Sequence, residues 1–418
     1  GINMKQRLLV LTIALLWMST YQVNAQVTTP SPLINTRLLA YYNYYNIYPE
    51  QGEFIVTDIP VEMLTHLHYA NIGISDAGQC VSVDVYADTQ YLYPGDRFSE
   101  RLRGNFKQLP ILRTRNPNLQ IVMSIGGWEN SGHFSDVALT EDARARFIRS
   151  CITFMQQYDF DGLEIDWRYP VEGGKETNVT RPEDTANLTL LMQELRLALD
   201  EASLEDERTR PYLLSMTMPA LEPQISLYDV EGLHPLLDYI NLMTFGYEGA
   251  WSEIAAHMAP LYGSERDPRE ANQASHSVDG TVRAYLDRGV PADKLVIGVP
   301  FSAQAWQNVR AGNLFGLYQP ADGVPLGTRD GGTLFYGDLG PFLNNPDYIR
   351  YFDDLSLVSW MYNPARHIAI SYESPESARR KAAYVRGFGL GGLMAWEVSN
   401  DSDELTLMNA LYLGLTEP

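Results

Sequence analysis

Short runs rich in β-branched, aromatic and other apolar residues recur along the chain at Arg37–Tyr42, His66–Ile74, Gln120–Ile125, Gly162–Tyr169, Tyr212–Met218, Tyr239–Phe245, Lys294–Pro300 and Gly391–Trp396. Between several of them lie segments with apolar positions three and four apart, notably Thr140–Tyr158, Pro182–Glu201, Ser277–Arg288 and Pro375–Phe388, the spacing of amphipathic helices. Eight strands alternating with helices predict an α/β chain folded as a (β/α)8 TIM barrel. A doubly wound open sheet is the competing arrangement, but no glycine-rich phosphate turn follows the first strand.

The stretch between the seventh and eighth strands is longer than one helix requires and carries β-like pieces at Thr333–Tyr336, Leu355–Tyr362 and His367–Tyr372. Structureless loops of that length are uncommon, so a small α+β insertion domain is expected over 302–372, with the barrel formed by 36–301 and 373–418. At the N-terminus, Met4, Lys5 and Arg7 precede an apolar run from Leu8 to Met18 and then Val23-Asn24-Ala25. That order predicts a secretory signal over 1–25, a short linker over 26–35 and an extracellular location. The apolar run is short for a bilayer span, and none is expected in the mature chain.

The chain has 418 residues, of which 45% are hydrophobic and 20% charged, the composition of an ordinary folded protein. Its formal charge of -21 disfavours nucleic acid and anionic membrane faces as partners and favours a neutral or cationic one. Cys80 and Cys151 are the only cysteines, and for an exported chain both one bridge and two separate buried thiols remain open. Asn178, Asn187 and Asn400 open glycosylation-type triplets that carry no weight without a glycosylating host. No metal-ligand cluster, nucleotide loop or nucleophile-elbow serine is visible, so no cofactor is expected.

The fourth strand holds the candidate chemistry. Within Phe160-Asp161-Gly162-Leu163-Glu164-Ile165-Asp166-Trp167-Arg168-Tyr169-Pro170, alternation puts Glu164, Asp166 and Arg168 on one face, and Leu163, Ile165 and Trp167 on the other. Two carboxylates in a narrow interior repel unless a cation stands beside them, and Arg168 can supply it. A structural ion-pair network and a functional site are both compatible with that grouping.

These residues, with Ser124-Ile125-Gly126-Gly127-Trp128, Met243, Lys294 to Phe301, and Gly389-Leu390-Gly391-Gly392 leading to Trp396-Glu397, give the chain a resemblance to the family 18 glycoside hydrolases, the chitinases and chitinase-like proteins, from about Thr36 to Leu413. The family's fourth-strand signature is Asp-x-x-Asp-x-Asp-x-Glu. Asp161 and Asp166 match it, Glu164 stands at the middle Asp, and Arg168 stands at the catalytic Glu. The resemblance implies cleavage of β-1,4-linked N-acetylglucosamine by substrate assistance: the acetamido oxygen attacks the anomeric carbon while the Glu protonates the leaving oxygen. A guanidinium keeps its proton at ordinary pH, so Arg168 cannot take that role. The family's Met-x-Tyr-Asp on strand six reads Met243-Thr244-Phe245-Gly246 here, and Ser302-Ala303-Gln304 replaces a common Tyr-Gly-Arg.

No catalytic set is therefore intact at Asp161, Glu164, Asp166, Arg168, Phe245 and Gly246. Flat aromatic rings suit the apolar faces of pyranoses, and the expected sugar-binding residues are Tyr42, Trp128, Met243, Tyr247, Trp251, Trp360 and Trp396, with Trp167 assigned to the core. The leading expectation is a hydrolytically silent protein that binds chitin-type oligosaccharides or another neutral glycan. Two alternatives stay open: an active glycosidase with an acid displaced to Asp166 or Glu172, and a protein-interaction scaffold whose lumen Arg168 locks by bridging Glu164 and Asp166.

Overall fold

The computed structural model describes residue 33 and residues 36–327 and 329–417. The expected signal over 1–25, and all of the expected linker except Leu33, lie outside the described residues. The described residues from Thr36 onward form one compact unit.

Eight parallel strands close on themselves: β1 (Arg37–Asn43), β2 (His66–Ile74), β3 (Gln120–Gly126), β4 (Gly162–Asp166), β5 (Leu213–Met218), β6 (Tyr239–Leu242), β7 (Leu295–Pro300) and, after an inserted segment, β13 (Gly392–Trp396). Sequence neighbours pair in turn. The ring is completed where β1 takes β13 on one side, with Arg37 opposite Gly392, and β2 on the other, with Leu39 opposite His66. Closure leaves no barrel edge to protect, and the predicted barrel is present.

The helices follow the spacing that predicted them. Thr140 caps the helix Glu141–Gln157 by accepting from Ala143 N, and that helix buries Phe147, Ile148, Cys151 and Met155. The long helix Asp184–Glu205 covers the next strand, and Ser374 caps Pro375–Phe388.

Between β7 and β13 the chain builds a second, antiparallel sheet from β8 (Ser302–Trp306), β9 (Thr333–Phe335), β10 (Ile349–Asp353), β11 (Val358–Asn363) and β12 (Ile368–Tyr372), ordered β9-β8-β12-β11-β10. Trp306, Val309, Tyr362 and Ala369 form part of its own apolar core.

Cys80 and Cys151 form a disulfide across a sequence separation of 71, tying the short strand Cys80–Ser82 to the helix Glu141–Gln157. Opening a loop of that size is expected to destabilise a domain by roughly 2–4 kcal/mol. Urea unfolding of Cys80→Ser combined with Cys151→Ser is the check, and a loss below about 0.5 kcal/mol would show that the bridge adds nothing to stability. Among the described residues, no helix is long and apolar enough to cross a membrane.

Candidate functional site

β4 ends at Asp166 rather than at the predicted Tyr169, and its alternation holds as far as it runs. Trp167 is buried on the helix side, stacked on Phe134 at 5.3 Å. Glu164 and Asp166 are buried in the lumen. Asp161 stands at the opposite end of the strand from Arg168. There it accepts from Arg113, Arg208 and the backbone of Ile121, a tie beneath the barrel rather than a group at its mouth.

Arg168 does not bridge the two luminal carboxylates. Its Nε donates to Asp166 Oδ1 at 2.8 Å and its Nη2 to Asp166 Oδ2 at 2.8 Å, a bidentate pair, while Thr217 Oγ1 donates to the same Oδ1 at 2.6 Å. Glu164 turns to other partners. Tyr41 Oη lies 2.6 and 2.7 Å from its two oxygens, Asn241 Nδ2 donates at 2.7 Å, and His68 Nδ1 lies 3.1 Å away with both side chains fully buried. The expected three-membered lock is thus two separate clusters. The reason is reach: Glu has one more methylene than the Asp of the family signature, which carries its carboxylate to the far side of the lumen, where β1, β2 and β6 supply donors.

The electrostatics match this separation. Burial opposes the charge on Arg168, but Asp166 outweighs it and holds the guanidinium above its ordinary pKa. Burial likewise pushes the Glu164 carboxyl up, yet His68, the Tyr41 hydroxyl and the Ser124 hydroxyl together bring it below its ordinary value. Both groups are therefore charged at neutral pH.

The backbone around Arg168 is fixed as well as its head. Its N–H donates to Ser131 Oγ at 3.0 Å, and its carbonyl accepts from Asn178 Nδ2 at 2.9 Å. Gly126, at φ +104, brings β3 so close that an added Cβ would stand 2.4 Å from the Asp166 carbonyl.

Trp396, at the end of β13, faces the same space. Tyr41 lies 4.9 Å from it, Phe245 stacks at 5.9 Å, and the Arg168 guanidinium carbon stands 5.6 Å from the indole centroid. Met243 and Phe245 pack with Trp396 against the luminal core. Phe245 supplies no hydroxyl. Gly246 adopts φ +68, a left-handed backbone that disfavours an L side chain although no atom lies within 4 Å of a Cβ there.

The aromatic expectations divide. Trp128, on the turn of helix Gly127–Asn130 after β3, is 47% exposed, and Trp251 is 73% exposed. The Trp251 ring lies over Gly249, where a Cβ would come within 2.4 Å of it, so the glycine admits the indole. Three expectations are corrected. Tyr42 is fully buried outside the lumen and donates to the Phe54 carbonyl; the β1 tyrosine that reaches the interior is Tyr41. Tyr247 is buried and donates to the Ser277 carbonyl. Trp360 is buried in the inserted sheet's core, where it donates to the Phe315 carbonyl and stacks on Tyr351 at 4.9 Å.

Neither alternative acid is well placed. Both oxygens of Asp166 are engaged, and Glu172 is exposed on the turn after Pro170. Gln304, in the triplet that replaces Tyr-Gly-Arg, is buried and donates to the Ala305 and Gly331 carbonyls.

Residues that sequence reasoning missed are Tyr41, His68, Asn241, Thr217 and Arg329. For His68 the available signal was its spacing from His66, two apart on β2.

A family model described as glycosyl hydrolases family 18 matches residues 37–401. A chitinase A1 from Niallia circulans is 34% identical over 93% of this chain, and the alignment spans 60% of that protein. A chitinase structure from Bacillus thuringiensis superposes with TM-score 0.85 at 30% identity, covering 91% of this chain and 70% of the other. A tobacco class V chitinase solved in complex with NAG4 superposes with TM-score 0.76 at 26% identity, covering 91% of this chain and 99% of the other.

Proposed function

We propose that this chain, which belongs to glycosyl hydrolase family 18, binds chitin-type N-acetylglucosamine oligomers without hydrolysing them and does so outside the cell. One observation carries the reading: a guanidinium fixed bidentately on Asp166 stands where the family resemblance puts the proton donor. Protonating a leaving oxygen requires an acid within about 3.2 Å of it, directly or through one water. A permanently charged arginine gives up no proton, and the same substitution removes the base needed to activate water afterwards.

Support for sugar binding is separate from the lost chemistry. Trp128 and Trp251 present exposed indoles, and Trp396 stands between Tyr41 and Phe245 at the lumen's mouth. Stacking on such rings needs no proton transfer. The tobacco neighbour's NAG4 complex supports an N-acetylglucosamine oligomer as the ligand class.

Titration of the purified protein with chitotetraose, followed by tryptophan fluorescence, is expected to give a saturable change that shrinks in Trp251→Ala and Trp128→Ala. A flat signal up to millimolar sugar would count against glycan binding. Secretion is tested by the mature N-terminus of protein from the native host's culture medium, expected at Gln26; retention in cells with residues 1–25 attached would contradict it.

A further inference from the structure

A guanidinium has two planar donor edges, and Arg168 spends only one on the protein. Its Nε and Nη2 are taken by Asp166. Its Nη1 has no acceptor among the described residues and is not among the sealed polar atoms left without one, so this corner of the head is not closed off. The side chain as a whole is 14% exposed. The head stands 5.6 Å from the Trp396 ring.

The same indole borders a cavity of about 450 Å³ whose wall includes Tyr45, Gln51, Arg329, Phe335 and Glu397. Arg329 packs over the Phe335 ring at 4.9 Å, and its Nη2 donates to the neutral Gln51 Oε1. Its positive charge extends across the cavity to Glu397 and Tyr45. Glu397 is the carboxyl on that wall; burial pushes its pKa up, and Asn43 and Asn46 donate to it. A chain of formal charge -21 thus keeps two arginines beside one indole at its barrel mouth.

For a neutral sugar, such an edge offers ordinary hydrogen bonds. For a carboxylate it offers a charge-assisted, two-point contact about twice as strong per bond, in a geometry that fits the planar anion. We propose that the mouth around Trp396 takes a pyranose bearing a carboxylate, such as a hexuronic acid or a carboxyl-bearing N-acetylamino sugar, with its ring against the indole and its carboxylate on the open edge of Arg168. This rests on the glycan-binding reading and narrows it to a class of sugar. Arg329 adds long-range attraction for the anion. The chain's net charge favours a neutral or cationic partner, whereas the arginines at this spot favour an anion.

Calorimetry with two probes tests it: chitotetraose, and the same oligomer with its C6 hydroxyls oxidised to carboxylates. The oxidised oligomer is expected to bind wild type about tenfold more tightly at low salt, with the advantage shrinking as salt screens it. Arg168→Gln should abolish the advantage, and Arg168→Lys should keep only part of it, because lysine has the charge without the second edge. Arg329→Gln, which leaves the Asp166 pair untouched, should reduce it about threefold; this variant and Arg168→Lys decide the matter if Arg168→Gln fails to fold. Equal affinity for the two oligomers, or an advantage undiminished in the folded variants, overturns the carboxylate assignment while leaving glycan binding in place. Failure of both oligomers to bind wild type overturns both.

Discussion

Arg168→Glu alone is expected to recover no substantial hydrolysis of a fluorogenic chitotrioside. Supplying an acid restores a factor of about 10²–10⁴ at most. The second loss stays in place, because Phe245 lacks a hydroxyl and Gly246 lacks a carboxylate where preorganised donors would meet the acetamido group. A single such donor is worth about 10²–10³ in rate. The variant also removes the cation that pairs with Asp166 and sets a second carboxyl near it, which would raise the pKa of one of them. Adding Phe245→Tyr and Gly246→Asp to the same protein should raise the rate further, although the left-handed backbone at Gly246 resists a side chain. Brisk turnover by the single variant would show that the strand-six substitutions are immaterial.

Glu164→Ala is expected to destabilise the barrel by about 3–5 kcal/mol, the range for breaking a buried pair by removing one member. It strips His68, Tyr41 and Asn241 of their shared acceptor in a fully buried site. The pH dependence has a definite sign. Because the native Glu164 carboxyl lies below its ordinary pKa, its ionised form contributes stability above that ordinary value. The contribution is lost as pH falls from the ordinary value through the lowered one. The gap between wild type and variant in urea unfolding should therefore be widest near neutrality and narrow on acidification. A gap under about 1 kcal/mol at neutral pH would mean that the cluster contributes little net stability.

The barrel was legible because its strands are short β-rich runs separated by segments of helical spacing, and each of the eight predicted strands has a counterpart in the ring. The phase of β1 was not. All of its residues after Arg37 are buried, so hydropathy offers no alternation to choose between Tyr41 and Tyr42. On β4 the phase could be read because charged and apolar residues alternate. Trp360 and Tyr247 were misassigned for a related reason: an aromatic after a strand end can face a groove or a neighbouring layer, and only packing decides. The division of labour between Arg168 and Glu164 depended on His68 and Asn241, which come from other strands and meet Glu164 only once the barrel closes. The substitution at the acid position needed no structure to be seen, whereas its bidentate hold on Asp166 did.

The most direct test is mass spectrometry of chitotetraose after prolonged incubation with contaminant-free wild-type protein. No shorter oligomer above the protein-free control is the expected result. Chitobiose appearing in proportion to protein, and disappearing with Asp166→Asn, would contradict the assignment of Arg168 as the residue that silences the site.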